Sequence, residues 1–133
     1  MRLKTFKELP NKKNIKDIVK FIRDYIFPDF FRESGNIENI KKNISKLYLK
    51  IISKNSDLED FIKQLDEIKI ILKKDLEFFF DSDPACKSYE EIILTYPGFR
   101  AIFHYRISHI FYNQKEYLTA RVISEYAHSK TGI

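Results

Sequence analysis

Residues 56–84 read SDLEDFIKQLDEIKIILKKDLEFFFDSDP, a long amphipathic run between two polar ends. Its apolar side chains recur at intervals of three and four residues, which is the spacing of one helix face. These positions are Phe61, Leu65, Ile68, Leu72, Leu76 and Phe79. Ser56-Asp57-Leu58-Glu59 has the form of a capping box, and the residue before Pro84 disfavours helix. We therefore predict one long helix between these ends.

Two shorter helices are predicted before this run. Asn14 is a candidate cap for the first helix, which Pro28 ends. A linker over residues 28–36, with Gly35 inside it, leads to the second helix. The two apolar stripes are Ile15, Ile18, Val19, Ile22 and Ile26, and then Ile37, Ile40, Ile44, Leu47 and Ile51.

Three more helices are predicted after the long run. Ser88-Tyr89-Glu90-Glu91 forms a second capping box, and Tyr96-Pro97-Gly98 breaks the short helix that follows. Gly132 suits the end of the last helix, because glycine tolerates a left-handed conformation. The stripes of the last two helices are Phe99, Ile102, Phe103, Arg106, Ile107 and Ile110, and then Leu118, Val122, Ile123 and Tyr126. We predict an all-α fold of five to seven helices in one domain, residues 1–133.

The composition agrees with a globular helical protein. The chain is 44% hydrophobic and 32% charged, with only three glycines and four prolines, which leaves little room for turn-rich β structure. No apolar run approaches the length of a membrane span, and residues 1–5 do not lead into the apolar core of a signal peptide. The single cysteine excludes an internal disulfide. We expect a cytoplasmic protein that binds no membrane.

The net charge of +5 is unevenly distributed. Residues 1–80 carry 18 Lys and Arg against 13 Asp and Glu, and residues 81–133 carry 6 of each. The lysines of the basic half are interleaved with acids, as on solvated helix faces, whereas a nucleic-acid binder gathers them on one face or arm. We therefore expect no nucleic-acid partner, and salt-dependent retention on DNA would test this expectation.

Asp83 is the strongest candidate site residue, and two interpretations of it are open. Asp83 before Pro84 has the form of a helix N-cap followed by proline at the first helical position, which requires no function. Alternatively, a loop between two helices presents the Asp83 carboxylate to the ammonium or hydroxyl group of a small polar ligand. Asp81 lies two residues before Asp83, so it could act together with Asp83 or be mistaken for the site residue.

The histidines and the cysteine do not form a catalytic or metal-binding set. His104 and His109 are offset by about 140° around a helix, so they do not share a face as metal ligands at i and i+4 would. We interpret His128 as structural or exposed, and Cys86 as a small buried thiol. We therefore assign no catalytic residue, no metal site and no bound cofactor.

Four segments resemble consecutive motifs of serine O-acetyltransferases, in the same order and spacing. They are residues 83–88 (DPACKS), 91–99 (EIILTYPGF), 105–109 (YRISH) and 123–133 (ISEYAHSKTGI). The resemblance is specific over about residues 80–133 and general over the earlier helices. It implies the N-terminal helical domain of that family, ending just before a left-handed β-helix catalytic domain that this chain does not include.

The resemblance implies an activity. In the family, a β-helix histidine takes the proton of the L-serine hydroxyl, which attacks acetyl-CoA to give O-acetyl-L-serine and CoA in cysteine biosynthesis. Acetyl-CoA is a co-substrate of the full-length enzyme, not a cofactor bound by this chain. The chain alone is expected to be inactive, because His128 precedes the β-helix in the family pattern. The alternative is a catalytically inactive helical assembly module.

The resemblance also implies one site residue and several partners. The Asp of the family's Asp-Pro-Ala motif helps to hold serine and the feedback inhibitor cysteine, so Asp83 is the expected substrate-binding residue. Cys86 stands where the family usually has a small residue such as alanine. The helical domain implies a homo-oligomer, either a trimer or a dimer of trimers. O-acetylserine sulfhydrylase binds family members through a C-terminal tail, which Ile133 does not represent because it lies inside the Thr-Gly-Ile motif.

Overall fold

The computed structural model describes residues 10–31, 35–52 and 56–133, and this part of the chain forms six α-helices. The helices are α1 (Lys12–Ile26), α2 (Ile37–Ile51), α3 (Leu58–Ser82), α4 (Tyr89–Thr95), α5 (Pro97–Asn113) and α6 (Tyr117–Thr131). These residues contain no strand, so the all-α prediction of five to seven helices is confirmed. Residues 1–5 and part of the predicted linker, residues 32–34, lie outside the described residues.

Both ends of α1 and the C-terminal end of α6 show how local chemistry sets helix boundaries. Asn11, not Asn14, caps α1, and its side chain accepts a hydrogen bond of 3.1 Å from the Asn14 N–H. The predicted cap was wrong because Asn14 already lies in the first turn, as the donor. Helix α1 ends at Ile26, two residues before Pro28, as expected. Gly132 ends α6 with φ of 72°, and the predicted left-handed cap is confirmed.

The start of α3 differs from the predicted capping box. Asp57 caps the helix, and its carboxylate accepts a hydrogen bond of 2.9 Å from the Glu59 N–H. Ser56 instead donates its hydroxyl to the buried Glu116 carboxylate at 2.8 Å. A carboxylate is a stronger acceptor than a hydroxyl for the free N–H groups of a first turn, so Asp57 displaces Ser56 as the cap.

The core lies around α5, which packs against α3, α4 and α6, while α1 packs against α2 and α6. The predicted stripes of α1 and α3 point inward: all five α1 positions are buried, and Ile68 and Phe79 of α3 pack against the core beside four buried neighbours. In this described part of the chain, no helix is both long enough and apolar enough to cross a membrane.

The predicted stripe of α6 was partly wrong. Leu118 is 37% exposed, whereas Ala120, Ile123 and Ala127 are buried. Small side chains bring α6 close to α5, and the Ser108 hydroxyl of α5 donates to the Ala120 carbonyl at 2.9 Å. The prediction from hydrophobicity therefore missed the centre of the buried face of α6. Alanine carries little apolar area, but it permits the closest contact between helices.

A polar cluster joins the ends of three helices on the side of the core away from residues 83–88. The fully buried Tyr48 of α2 stacks on Phe61 of α3, with ring centroids 4.3 Å apart, and donates its hydroxyl to Gln114 Oε1 at 2.5 Å. The Gln114 amide donates in turn to Asp60 Oδ2 at 3.0 Å. Gln114 follows α5, so this cluster fixes α2, α3 and α5 against one another.

We predict that Tyr48→Phe lowers the free energy of unfolding by roughly 1 to 2 kcal/mol, because it removes a buried hydrogen bond and leaves Gln114 Oε1 without its donor. Urea denaturation followed by circular dichroism measures the change. Tyr112→Phe removes an exposed hydroxyl and serves as the control, with an expected change within about 0.5 kcal/mol. Equal effects of the two substitutions would contradict the role of this cluster.

Candidate functional site

The loop between α3 and α4, residues 83–88, is closed by hydrogen bonds within itself. Asp83 follows the last residue of α3 in an extended conformation, with φ of −120°. Its carbonyl accepts from the Cys86 N–H at 3.0 Å, and its side-chain Oδ1 accepts from the Ala85 N–H at 2.9 Å. Pro84 lies between them, and its ring restricts the backbone of the turn. The chain therefore reverses tightly, with the Asp83 carboxylate folded over the turn.

The interpretation of Asp83 as a helix N-cap was wrong. Residues 84 and 85 form a turn, and the next helix begins only at Tyr89, with Ser88 as its cap. The Ser88 hydroxyl oxygen accepts from the Glu91 N–H at 3.3 Å. The Cys86 N–H closes the turn on Asp83 before a helix can propagate from Pro84, so Asp83 ends one helix without starting another.

Tyr96 holds the second oxygen of the Asp83 carboxylate. It lies at the junction of α4 and α5, and its hydroxyl donates to Asp83 Oδ2. The hydrogen bond from Tyr96, with a smaller contribution from the Ala85 N–H, holds the pKa of Asp83 below its ordinary value. The same bond to a carboxylate raises the pKa of the Tyr96 phenol. At neutral pH, Asp83 is therefore an anion and Tyr96 a neutral donor.

The rest of the loop is fixed by α4. Glu91 reaches back to the Lys87 N–H at 2.9 Å, one residue before the Ser88 N–H that the predicted capping box requires. The Ser88 half of that box is confirmed, and the Glu91 half is shifted by one residue. Cys86 is 8% exposed and its thiol donates to the Ser88 carbonyl at 3.2 Å, which confirms the prediction of a small buried thiol.

The other candidate groups, all within the described part of the chain, form no hydrogen bond with this loop. Asp81 is exposed and makes no hydrogen bond or ion pair with another described residue. His104 is buried, which lowers its pKa, and its Nδ1–H donates to the Arg100 carbonyl at 2.8 Å. His109 is exposed, and His128 is exposed with Nδ1 3.0 Å from the Ile133 carbonyl oxygen. The described residues contain no group of three or more potential metal ligands.

Sequence reasoning found Asp83 and missed Tyr96. The two residues are 13 positions apart, in different elements, and no periodicity or capping motif relates them. This arrangement leaves the carboxylate able to bind a ligand: a carboxylate oxygen has more than one lone pair, so each Asp83 oxygen can accept a further hydrogen bond from an ammonium or hydroxyl group. No nucleophile and base are paired in this loop.

Two cavities of the described structure lie elsewhere. One, of about 340 Å³, lies between α1 and α6, and the other, of about 290 Å³, lies between α1 and α5. Neither is lined by Asp83. The candidate site is thus a loop at the surface that presents the Asp83 carboxylate, not an enclosed pocket.

We predict that Tyr96→Phe raises the pKa of Asp83 toward its ordinary value, because the main hydrogen bond to the charged carboxylate is lost. An NMR titration of the Asp83 side-chain carbon between acid and neutral pH measures the shift. Since the lowered pKa stabilises the fold only above the ordinary pKa of an aspartate and not under more acidic conditions, the variant also loses stability at neutral pH and not in acid. Tyr105→Phe, on an exposed tyrosine, leaves the titration unchanged; the same curve in both variants would refute the assignment.

Comparison with known proteins agrees with the resemblance of the motifs. Residues 39–103 match the family model described as serine acetyltransferase, N-terminal. This span runs from α2 into α5 and includes the loop of Asp83.

Three relatives named serine acetyltransferase illustrate the similarity. The proteins of Bacillus pumilus and Bacillus subtilis are 48% and 49% identical to this chain over 63 residues, and that of Staphylococcus aureus is 42% identical over 62 residues. Each match covers 47% of this chain and 29% of the relative. The matched segment therefore corresponds to less than a third of the length of these relatives.

A solved structure shows the same fold. Serine acetyltransferase isoform 3 of Entamoeba histolytica, in complex with cysteine, superposes with a TM-score of 0.73 at 24% identity, and the match covers 100% of this chain and 50% of that chain. The predicted resemblance is confirmed: residues 39–103 are similar to the N-terminal domain of serine acetyltransferases.

Proposed function

We propose that this chain is the N-terminal helical portion of a serine O-acetyltransferase, which transfers the acetyl group of acetyl-CoA to the hydroxyl of L-serine. The products are O-acetyl-L-serine and CoA. The observation that supports this most strongly is the identity of 42–49% to bacterial proteins that are each named serine acetyltransferase. These names favour the enzyme over the inactive assembly module.

Asp83 is proposed to bind the substrate. Its carboxylate is ionised at neutral pH, and hydrogen bonds from Tyr96 and the Ala85 N–H fix its position. The Asp83 side chain therefore loses little conformational entropy when it binds a cationic ammonium group. L-serine and cysteine share that ammonium group. The related Entamoeba structure is a complex with cysteine, and we propose that cysteine binds to the same carboxylate here and inhibits by competition.

The base for the reaction is proposed to lie in the β-helix part of the family's enzymes. Removing a proton from a serine hydroxyl near neutral pH requires a positioned base. His104 does not fit this role because it is buried and its Nδ1–H is bound to the Arg100 carbonyl. The described residues thus supply substrate binding and a scaffold, and acetyl-CoA enters as co-substrate.

The wider assembly is also part of the proposal. A trimer or a dimer of trimers would place copies of the helical domain together, and O-acetylserine sulfhydrylase is the proposed further partner. Exposed apolar side chains support a surface that another copy covers: Phe78 is 70% exposed and Tyr105 is 64% exposed. The cytoplasmic location stays a prediction.

Acetyl transfer itself is the direct test of this function. The protein from the complete reading frame and the 133-residue chain are each incubated with acetyl-CoA and L-serine, and release of the CoA thiol is recorded. We expect release from the complete protein that depends on L-serine, and none from the chain alone. No release from the complete protein would refute the proposed function, whereas release by the chain alone would refute the location of the base.

We predict that Asp83→Asn in the complete protein raises the KM for L-serine and the inhibition constant for cysteine together, by about 10-fold or more, because a charge-assisted hydrogen bond is worth roughly 1.5 to 3 kcal/mol. Asparagine can still accept from Ala85, so the loop is kept. Asp81→Asn makes the same change on the neighbouring exposed carboxylate and should leave both constants unchanged. Equal constants for Asp83→Asn and the unaltered protein would reduce Asp83 to a structural residue.

A further inference from the structure

A second feature of the domain is the cavity of about 290 Å³ between α1 and α5. The end of α4 and Tyr126 of α6 complete its walls. Its volume lies near the lower limit of small-molecule sites, which span about 300 to 1,000 Å³. A ligand of this cavity is therefore a small molecule, not a peptide or a cofactor of large size.

The apolar wall of the cavity is preformed. Four side chains from α1, from the residue after it and from α5 are each at most 5% exposed, and they are Val19, Phe27, Phe99 and Phe103. Phe27 and Phe99 contact each other with ring centroids 6.0 Å apart. Because these rings are held by the core, an apolar ligand group meets a surface that needs no reordering.

The rim of the cavity is basic. Lys16, Lys20 and Arg23 follow one another at intervals of four and three residues and so share one face of α1, and Arg100 joins them from α5. Asp17 is the single carboxylate among the lining residues. Four cations against one anion give the lining residues a charge of +3, since the buried His104 has a lowered pKa and stays neutral. The Asp24 carboxylate behind Arg23 offsets part of this charge.

Lys20 and Arg100 are available to a ligand. Lys16 Nζ lies 5.1 Å from the centroid of the Tyr126 ring and the Arg23 guanidinium carbon 3.7 Å from that of the Phe31 ring, so these two cations also make cation–π contacts. None of the salt bridges between described residues involves Lys16, Lys20 or Arg100. Arg23 is held in place by the fully buried Asp24, with Nε and Nη2 at 3.3 and 3.2 Å from Oδ1, which leaves further N–H groups of the guanidinium unused in that contact.

This convergence differs from the rest of the basic half of the chain. The lysines there lie along single helices, as Lys41, Lys42, Lys46 and Lys50 do on α2. Here two helices that are far apart in sequence bring cations to one concave surface. Cations that share a concave site beside low-dielectric walls repel one another and focus a positive potential into the cavity. An anion relieves this repulsion, and an apolar group bound to the anion fills the space between the aromatic rings.

We propose that this cavity binds a small organic anion, with its phosphate or carboxylate group among Lys20, Arg23 and Arg100 and its apolar body against Phe27, Phe99 and Phe103. The site is separate from the Asp83 loop and does not rest on the proposed acetyl transfer. Lys16 and Lys20 belong to the lysines that the sequence pattern assigned to solvated helix faces, and this proposal gives them a binding role.

An NMR titration of the ¹⁵N-labelled chain tests the proposal with three probes that share one ring: phenyl phosphate, benzoate and the neutral benzyl alcohol. We expect phenyl phosphate or benzoate to shift the amides of residues 16–23 and 99–104 saturably below about 10 mM, and benzyl alcohol to bind at least 10-fold more weakly. The tighter of the two anions identifies the headgroup. Raising the NaCl concentration should weaken the binding of the anions only.

The variant Lys20→Gln/Arg100→Gln should weaken the tighter anion by about 10-fold or more, as expected for the loss of two charge-assisted contacts. Lys63→Gln/Lys73→Gln removes the same charge from exposed positions of α3 and should change nothing. Circular dichroism verifies that both variants keep their helices.

Three results would overturn the proposal: no saturable shift with either anion, equal affinity for benzyl alcohol, or equal loss in the two double variants. A 20-base-pair DNA duplex that shifts these amides while both small anions fail to do so would replace the small ligand with a nucleic acid and would also overturn it.

Discussion

Helix α5 is the constraint on which this fold depends. Its buried side chains, from Phe99 to Phe111, spread over about half of its circumference, which is more than one partner helix can cover. Helices α3, α4 and α6 all pack against it, and Phe27 after α1 contacts Phe99 at its start. The bidentate ion pair between Asp75 of α3 and Arg106 of α5, at 2.7 and 3.2 Å, fixes the rotation of one helix against the other.

The position of α5 decides the geometry of both functional features. Tyr96 precedes its first residue, so packing of α5 against α3 brings the Tyr96 hydroxyl to the Asp83 carboxylate at the end of α3. On another side, the first turns of α5 carry Arg100 and Phe103 to the basic face of α1. The carboxylate proposed to bind the substrate and the cavity proposed to bind an anion thus both lie at the start of α5, with charges of opposite sign on separate surfaces.

The sequence predicted the features that depend on local periodicity and failed where tertiary contacts decide. The helices and the Gly132 cap follow from spacing and backbone preference, and Asp83 follows from its motif. Asp57 caps α3 in place of Ser56 because its carboxylate is the stronger acceptor, and the Ser56 hydroxyl donates to Glu116, 60 residues away in sequence. The contact of Tyr96 with Asp83 and the approach of Arg100 to the cations of α1 could not be predicted from spacing, since only folding brings these residues together. The Asp83 carboxylate had two local interpretations, and the turn closed by Cys86 excluded the N-cap.

We infer that residues 83–88 form a rigid loop that holds the Asp83 carboxylate in one place before any ligand binds. Amide hydrogen exchange of Ala85, Cys86 and Lys87 reports on the rigidity of this loop, because these N–H groups donate to Asp83 Oδ1, the Asp83 carbonyl and Glu91 Oε2. Our account predicts slow exchange of all three, close to that of the neighbouring helix amides, and faster exchange of Ala85 in Tyr96→Phe. Exchange at the rate of an unstructured peptide in the unaltered protein would contradict it.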